Sequence, residues 1–250
     1  MYSTCPKCGH EHSADQAGSK SCPACGLVYA KWIKNLASDP QLTVPEIGSD
    51  VGPSLAGRLG RFFLQGKPGT NRFELAGYGL IWIVLAIWGW QFIAMDYRSA
   101  EIMNSFLHNV DLIFHEAGHV IFSPFGRYMM YLGGSLFQVL LPLILMGAFL
   151  VVNRDAFAAS VCLWWAGQSL MDLAPYIADA RVLRLPLLGG GTGADSPGRH
   201  DWANLLRPIG MLQQDTRIAE TVDTIGSGLI LLALVWGAYM LRVYYKSVME

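Results

Sequence analysis

Charge is scarce in this chain of 250 residues: only 15% of it is Asp, Glu, Lys or Arg, against 52% hydrophobic residues. Soluble domains carry about a quarter charged residues, so the shortage excludes an ordinary water-facing surface and points to a bilayer. Neither sign of charge prevails, with 18 Lys and Arg against 19 Asp and Glu and a net charge of -1. A broad basic surface is therefore missing, and with it the electrostatic footprint of a nucleic-acid partner. The first residues also lack the basic-then-apolar order of a cleavable signal peptide, so membrane targeting is expected from internal apolar segments. Cysteine is nearly absent beyond residue 25, where only Cys162 remains, inside an apolar run. It reads as a small buried hydrophobe.

The other four cysteines stand as Cys5-Pro-Lys-Cys8 and Cys22-Pro-Ala-Cys25. Two CxxC knuckles at this separation offer two thiolates each to one tetrahedral zinc ion. Gly9 and Gly26 follow the pairs and suit the tight turns that knuckles need. So short a segment has almost no core, so metal binding supplies most of its folding energy. The expectation is a four-cysteine zinc ribbon over residues 1–34; it resembles ribbons fused to many bacterial proteins, which implies that it docks a protein partner or stabilises a terminus. A linker rich in Pro and Gly follows over 35–72, with an amphipathic stretch from Leu55 to Leu64.

Residues 73–250 form the expected membrane domain. Leu75 to Met95, Tyr131 to Val152, Ala156 to Ala178 and Ile225 to Leu241 are apolar runs that suit a hydrocarbon core about 30 Å thick. Ile102 to Phe122 is less uniform but is counted as a fifth span. Lys and Arg orient the bundle. With the N-terminus cytoplasmic, Arg58 to Arg72, Arg127, Arg181, Arg184, Arg199, Arg207 and Arg217 fall inside. Arg98, Arg154, Arg242 and Lys246 fall outside. A reducing cytoplasm also suits zinc-bound thiolates. The expected fold is an all-α polytopic membrane helix bundle of about five transmembrane helices behind a small zinc ribbon.

Chemistry concentrates in the second span. His115-Glu116-Ala117-Gly118-His119 is an HExxH motif. Positions four apart share a helix face, so both imidazoles reach one zinc ion while Glu116 takes a proton from the activated water. Asp111, four residues earlier, is placed to accept the second N–H of His115 from the outer shell, and His108 continues the face. Acidic groups at mid-bilayer cost about 2.5–3.5 kcal/mol each if they face lipid, so a polar interior or a metal is expected around them. Two imidazoles leave the ion one protein ligand short. Asp172 lies at matching depth in the fourth span and is the expected third ligand. Pairing with an Arg at the membrane edge is its competing role, and Asp179 is the nearest competitor for the metal.

These residues resemble site-2-protease-type (M50-like) intramembrane metalloproteases. The likeness lies in Phe114-His-Glu-Ala-Gly-His119, in Gly133-Gly134 with Gln138, and in Gln168-Ser-Leu-Met-Asp172-Leu-Ala-Pro175. It covers roughly Phe106 to Ala178. The resemblance implies His115, His119 and Asp172 as ligands of a catalytic zinc, Glu116 as general base, and a membrane-embedded protein substrate. The chain departs from the family in lacking a PDZ-like insertion and the usual Asn-Pro and Asp-Gly around the third ligand. The expected protein is thus integral to a bacterial inner membrane, with one catalytic and one structural zinc. A non-proteolytic membrane adaptor, whose ribbon recruits a partner, is the alternative. Leu187 to Gly193, continuing through Gly198 to Trp202, lacks the Lys and Ser/Thr of a phosphate loop. It reads either as a lid, with His200 or Asp201 touching metal or substrate, or as a plain linker.

Overall fold

The computed structural model describes residues 4–11, 19–32, 54–64, 66–67, 69–196 and 198–249. Two compact units divide the chain, Met1–Ser54 and Leu55–Glu250. Residues 35–53 of the expected linker lie outside the described residues.

In the first unit each CxxC forms a knuckle. Backbone bonds from Gly9 N to Cys5 O (2.9 Å) and from Gly26 N to Cys22 O (2.8 Å) close the two turns. Both glycines sit in the left-handed region, at φ 72° and 73°, where a side chain would be strained. Single bridges, Thr4 to Glu11 and Ser21 to Val28, flank the knuckles.

The second unit is helical, with no strand beyond an isolated bridge among the described residues. Its helices are α1 (Leu55–Leu64), α2 (Arg72–Ala94), α3 (Phe106–Phe122), α4 (Arg127–Ala148), α5 (Ala156–Ala178), the short α6 (Asp201–Leu206) and α7 (Asp215–Met249). The amphipathic stretch expected in the linker is α1 and belongs to this unit, where Trp236 Nε1 donates to the Phe63 carbonyl at 2.9 Å. Local sequence sets the helix starts. Asn71 accepts from Phe73 N and Glu74 N while Glu74 returns a bond to Asn71 N, a full capping box for α2. Ser105 accepts from His108 N to open α3. Asp155 caps α5 through Ala158 N and also accepts from Tyr78 and Tyr244 hydroxyls, tying three helices together.

Three stretches are long and apolar enough to cross a membrane: Arg72–Ala94, Arg127–Asn153 and Leu212–Met249. α2 carries apolar residues all round and leaves Leu80, Ile83, Ile87 and Trp90 exposed, as a lipid-facing helix does. The other two expected spans differ for a physical reason. α3 has 17 residues and carries the polar motif. α5 has 23 residues, of which 17 are buried, including Gln168, Ser169 and Asp172. It is the central post of the bundle, and its polar groups face neighbouring helices.

Glycines permit the closest crossings. A Cβ on Gly167 would lie 2.7 Å from the Gly226 carbonyl oxygen, so α5 and α7 meet backbone to backbone. Gly118 and Gly133 do the same for α3 and α4, since a Cβ on Gly133 would lie 2.6 Å from the Gly118 carbonyl oxygen. That second crossing puts α4 directly against the HExxH face.

Candidate metal centres

Cys5, Cys8, Cys22 and Cys25 bring their sulfurs within 4.8 Å of one another, a group able to hold a metal ion. Cys5 and Cys25 are 3.8 Å apart and Cys8 and Cys22 3.7 Å, and none is in a disulfide. The knuckle backbone favours thiolate. Burial would raise the Cys5 thiol, but the N–H groups of Lys7 and Cys8, with the Cys8 and Cys22 thiols, outweigh it and draw its pKa down to about 6, while burial and the neighbouring thiols push Cys8 up to about 12. Cys162 is a buried lone thiol, as expected.

The second cluster is built on α3. His115 and His119 lie one helical turn apart, their ring centroids separated by 4.9 Å. Each ring is fixed through Nδ1, His115 by Gln138 Oε1 at 3.0 Å and His119 by the Met130 carbonyl at 2.7 Å. Both partners come from α4, and both acceptors require the proton on Nδ1. That leaves the two Nε2 lone pairs free to bind a metal. Facing them is Asp201 Oδ2, at 3.2 Å from His115 Nε2 and 3.3 Å from His119 Nε2. The ligand atoms of His115, His119 and Asp201 all lie within 4.8 Å of one another, so the donor set fits a metal ion.

Asp201 reaches this position because the Gly-rich segment is a folded loop. At its base, Asp179 accepts from Arg184 N at 2.9 Å and Leu185 N at 3.0 Å, and its Oδ2 faces His200 Nε2 at 3.3 Å. Gly189, Gly190 and Gly191 follow one another at φ 85°, 91° and 75°, a turn that only glycine makes without strain. Arg199 straps the turn by donating to the carbonyls of Leu188 and Gly190. His200 then caps α6, its Nδ1 accepting from Ala203 N, and Asp201 opens that helix. Tyr176 completes the seating. Its hydroxyl donates to Asp201 Oδ2 (3.2 Å) and accepts from Asp201 N (3.0 Å), while its ring stacks on His200.

Two expected partners of the imidazoles lie elsewhere in the structure. The third ligand expected from sequence was Asp172, yet the group around the imidazoles contains Asp201 instead. Asp172 Oδ1 and Oδ2 lie 2.9 and 3.1 Å from His108 Nδ1, and Oδ2 accepts from Gln138 Nε2 at 3.1 Å. Asp172 lines the same cavity as the imidazoles, and the residue that faces their Nε2 atoms comes from the loop after α5. Asp179, the competitor, anchors that loop. Asp111 was expected to hold the second N–H of His115. It accepts instead from Trp165 Nε1 (2.8 Å) and Ser169 Oγ (3.2 Å) on α5, and Gln138 serves His115.

The imidazoles, Asp201 and Glu116 line one cavity of about 480 Å³, which also takes in His108, Leu112, Gln138, Asp172, Tyr176 and Leu187. Glu116 is solvent-exposed within it. Of these residues Tyr176 has no role in the sequence reading, Gln138 enters it only through the resemblance, and Asp201 only with His200 as a loop residue that touches metal or substrate. The signal for Asp201 is the His200-Asp201 pair, two chemistry-bearing side chains at the end of the Gly-rich segment. Compared with protein families, curated proteins and solved structures, the chain matches none.

Proposed function

We propose that the chain is an intramembrane zinc metallohydrolase that cleaves peptide bonds of membrane-embedded proteins. The observation that carries the reading is the convergence of two Nε2 atoms and one carboxylate oxygen beside Glu116, in a cavity, with both Nδ1 atoms already engaged. His115, His119 and Asp201 would hold the catalytic ion and leave a fourth position open, as hydrolytic zinc sites do. Bound there, zinc supplies Lewis acidity and makes a coordinated water nucleophilic near neutral pH.

Glu116 does the proton work. Its carboxylate takes a proton from the attacking water and returns it to the nitrogen that leaves when the C–N bond breaks. Its exposure in the cavity gives it access to water. The similarity of Phe114–His119, Gly133-Gly134 and Gln138 to site-2-protease-type enzymes favours a peptide substrate. Such a substrate must unwind before cleavage, because a membrane helix keeps its carbonyls in its own hydrogen bonds.

The three apolar helices, with α3 and α5 packed among them, make five spans of a bacterial inner-membrane protein whose N-terminus is cytoplasmic. In the ribbon, four sulfurs about 2.3 Å from one zinc ion would sit ~3.8 Å apart, matching the 3.7 and 3.8 Å separations. This structural zinc would shape the ribbon to dock a protein partner.

The test is zinc stoichiometry on purified protein, wild type against a His115→Ala, His119→Ala double variant, paired with Glu116→Gln. Two ions falling to one, and lost proteolysis with both ions retained in Glu116→Gln, support the enzyme. One ion in both proteins, not raised by added zinc, refutes it in favour of a membrane adaptor.

A further inference from the structure

The cavity holds a pair of side chains that the hydrolysis just described does not use. His108 and Asp172 both line it beside Glu116, and neither belongs to the group that could hold the ion. Asp172 receives His108 Nδ1 at 2.9 and 3.1 Å on its two oxygens and Gln138 Nε2 at 3.1 Å on one. The orientation of Gln138 is fixed from its other end, because its Oε1 accepts from His115 Nδ1. Its NH2 therefore faces Asp172, and the carboxylate acts as acceptor on both oxygens. Nδ1 of His108 must then carry the proton in the pair. Nε2 is the nitrogen left over, and it has no hydrogen-bond partner among the described residues and is not enclosed. The His108 side chain is 18% exposed against 5% for Asp172. A buried carboxylate thus fixes an imidazole that presents its free edge to the cavity, the arrangement that orients a working histidine.

Position says what that edge meets. His108 and His115 are seven residues apart on one helix face, about 10.5 Å along the axis at 1.5 Å per residue. A polypeptide must be extended to expose a scissile carbonyl, and extended chain rises about 3.3 Å per residue. The distance from the metal ligands to His108 is thus the length of about three extended residues.

We infer that His108 is a substrate-contacting residue whose Nε2 hydrogen-bonds the main chain of a polypeptide about three residues from the scissile bond. Asp172 is its positioning residue. Gln138 holds this subsite and His115 in one hydrogen-bonded chain, so main chain seated at His108 is in register with the metal. The inference rests on the metallohydrolase reading and adds to it the substrate's extended backbone as the group recognised.

The experiment uses the full chain in detergent with zinc bound, and two probes. Acetohydroxamate chelates the metal and has no peptide arm. A peptidyl hydroxamate with a three-residue arm chelates the metal and fills the subsite. His108→Asn keeps an amide nitrogen near the position of Nδ1, to bond Asp172, and removes Nε2. His108→Gln can place its Oε1, an acceptor, near the position of Nε2 and removes the group that bonds Asp172. In His108→Asn, affinity for the peptidyl probe should fall between about threefold and tenfold, the range carried by one hydrogen bond. Acetohydroxamate affinity and the two-ion stoichiometry should not change, and that stoichiometry also reports a folded variant. His108→Gln should regain part of the loss. Unchanged peptidyl-probe affinity in His108→Asn overturns the inference. So does loss of the second ion in His108→Asn or Asp172→Asn, which would assign the pair to the metal. If neither probe binds the wild type, the metallohydrolase reading fails and this inference falls with it.

Discussion

Gly134 is the position at which the smallest addition should do the most damage. A Cβ built there would lie 2.6 Å from His115 Nε2, 2.7 Å from His115 Cδ2 and 2.7 Å from His119 Cε1. Ordinary non-bonded carbon contacts begin at about 3.5 Å, so Gly134→Ala demands roughly 0.9 Å of movement. Metal–ligand distances tolerate only about 0.2 Å. The imidazoles cannot swing aside freely, because Gln138 and the Met130 carbonyl hold their other nitrogens. If α4 backed away instead, it would give up the close packing of Gly133 on Gly118 and Phe122 one residue earlier. Overpacking of this kind costs about 1–3 kcal/mol of stability. Losing one orienting partner typically costs 10–100-fold in metal affinity, and here two ligands move together. The expected result is at least a ~100-fold loss of affinity for the second ion. Metal retained against a competing chelator would measure it. Gly147→Ala on the same helix is the control, because nothing lies within 4 Å of its Cβ position. It should keep the ion and gain up to about 1 kcal/mol, the helix cost of glycine. A Gly134→Ala protein that holds the second ion as tightly as wild type would refute the placement of both Nε2 atoms.

Asp201→Asn should lose the second ion while Asp172→Asn keeps it, and metal counting on the purified pair decides between a loop ligand and a helix ligand. The Asp179 carboxyl sits below its ordinary 3.8: burial would raise it, and His200 with the N–H groups of Arg184 and Leu185 outweighs that. Its contribution to loop stability is therefore complete above about pH 4 and lost as pH falls through the lower folded value. Amide exchange across 183–200, corrected for intrinsic rate, should accelerate below pH 4 in wild type and show no such step in Asp179→Asn. Cys5→Ser should remove one ion and unfold the ribbon, since structural zinc is worth about 10–16 kcal/mol to such segments. The ion held by His115 and His119 should survive, as a count of one in Cys5→Ser would show.

Much of the architecture was legible because its signals are local. Apolar length marked α2, α4 and α7, and CxxC spacing marked the knuckles. HExxH put two imidazoles on one helix face, where the structure has them. Local periodicity also misled. Asp111 is one turn from His115, but the donors that claim it, Trp165 and Ser169, come from α5. What reaches His115 is Gln138, placed by the Gly118–Gly133 crossing, and no sequence period encodes a crossing.

The place of Asp201 beside the imidazoles was illegible for a deeper reason. Asp201 owes its place to contacts that close a loop: Asp179 with His200, Arg199 with two carbonyls, and Tyr176 with Asp201 itself. Each partner looks ordinary alone, and the glycines that permit the turn look like a linker. Depth matching chose Asp172 because it compared helices with helices. Yet that reasoning found the right cavity, since Asp172 lines it and joins His115 through Gln138. The loop origin of Asp201 has a chemical consequence. If the group holds an ion, two ligands ride on α3 and the third on the loop that leads into α6, so the integrity of the site depends on the loop being closed. Substitutions at Gly190 or Arg199, which touch none of the three ligands, should therefore weaken metal binding through the loop alone.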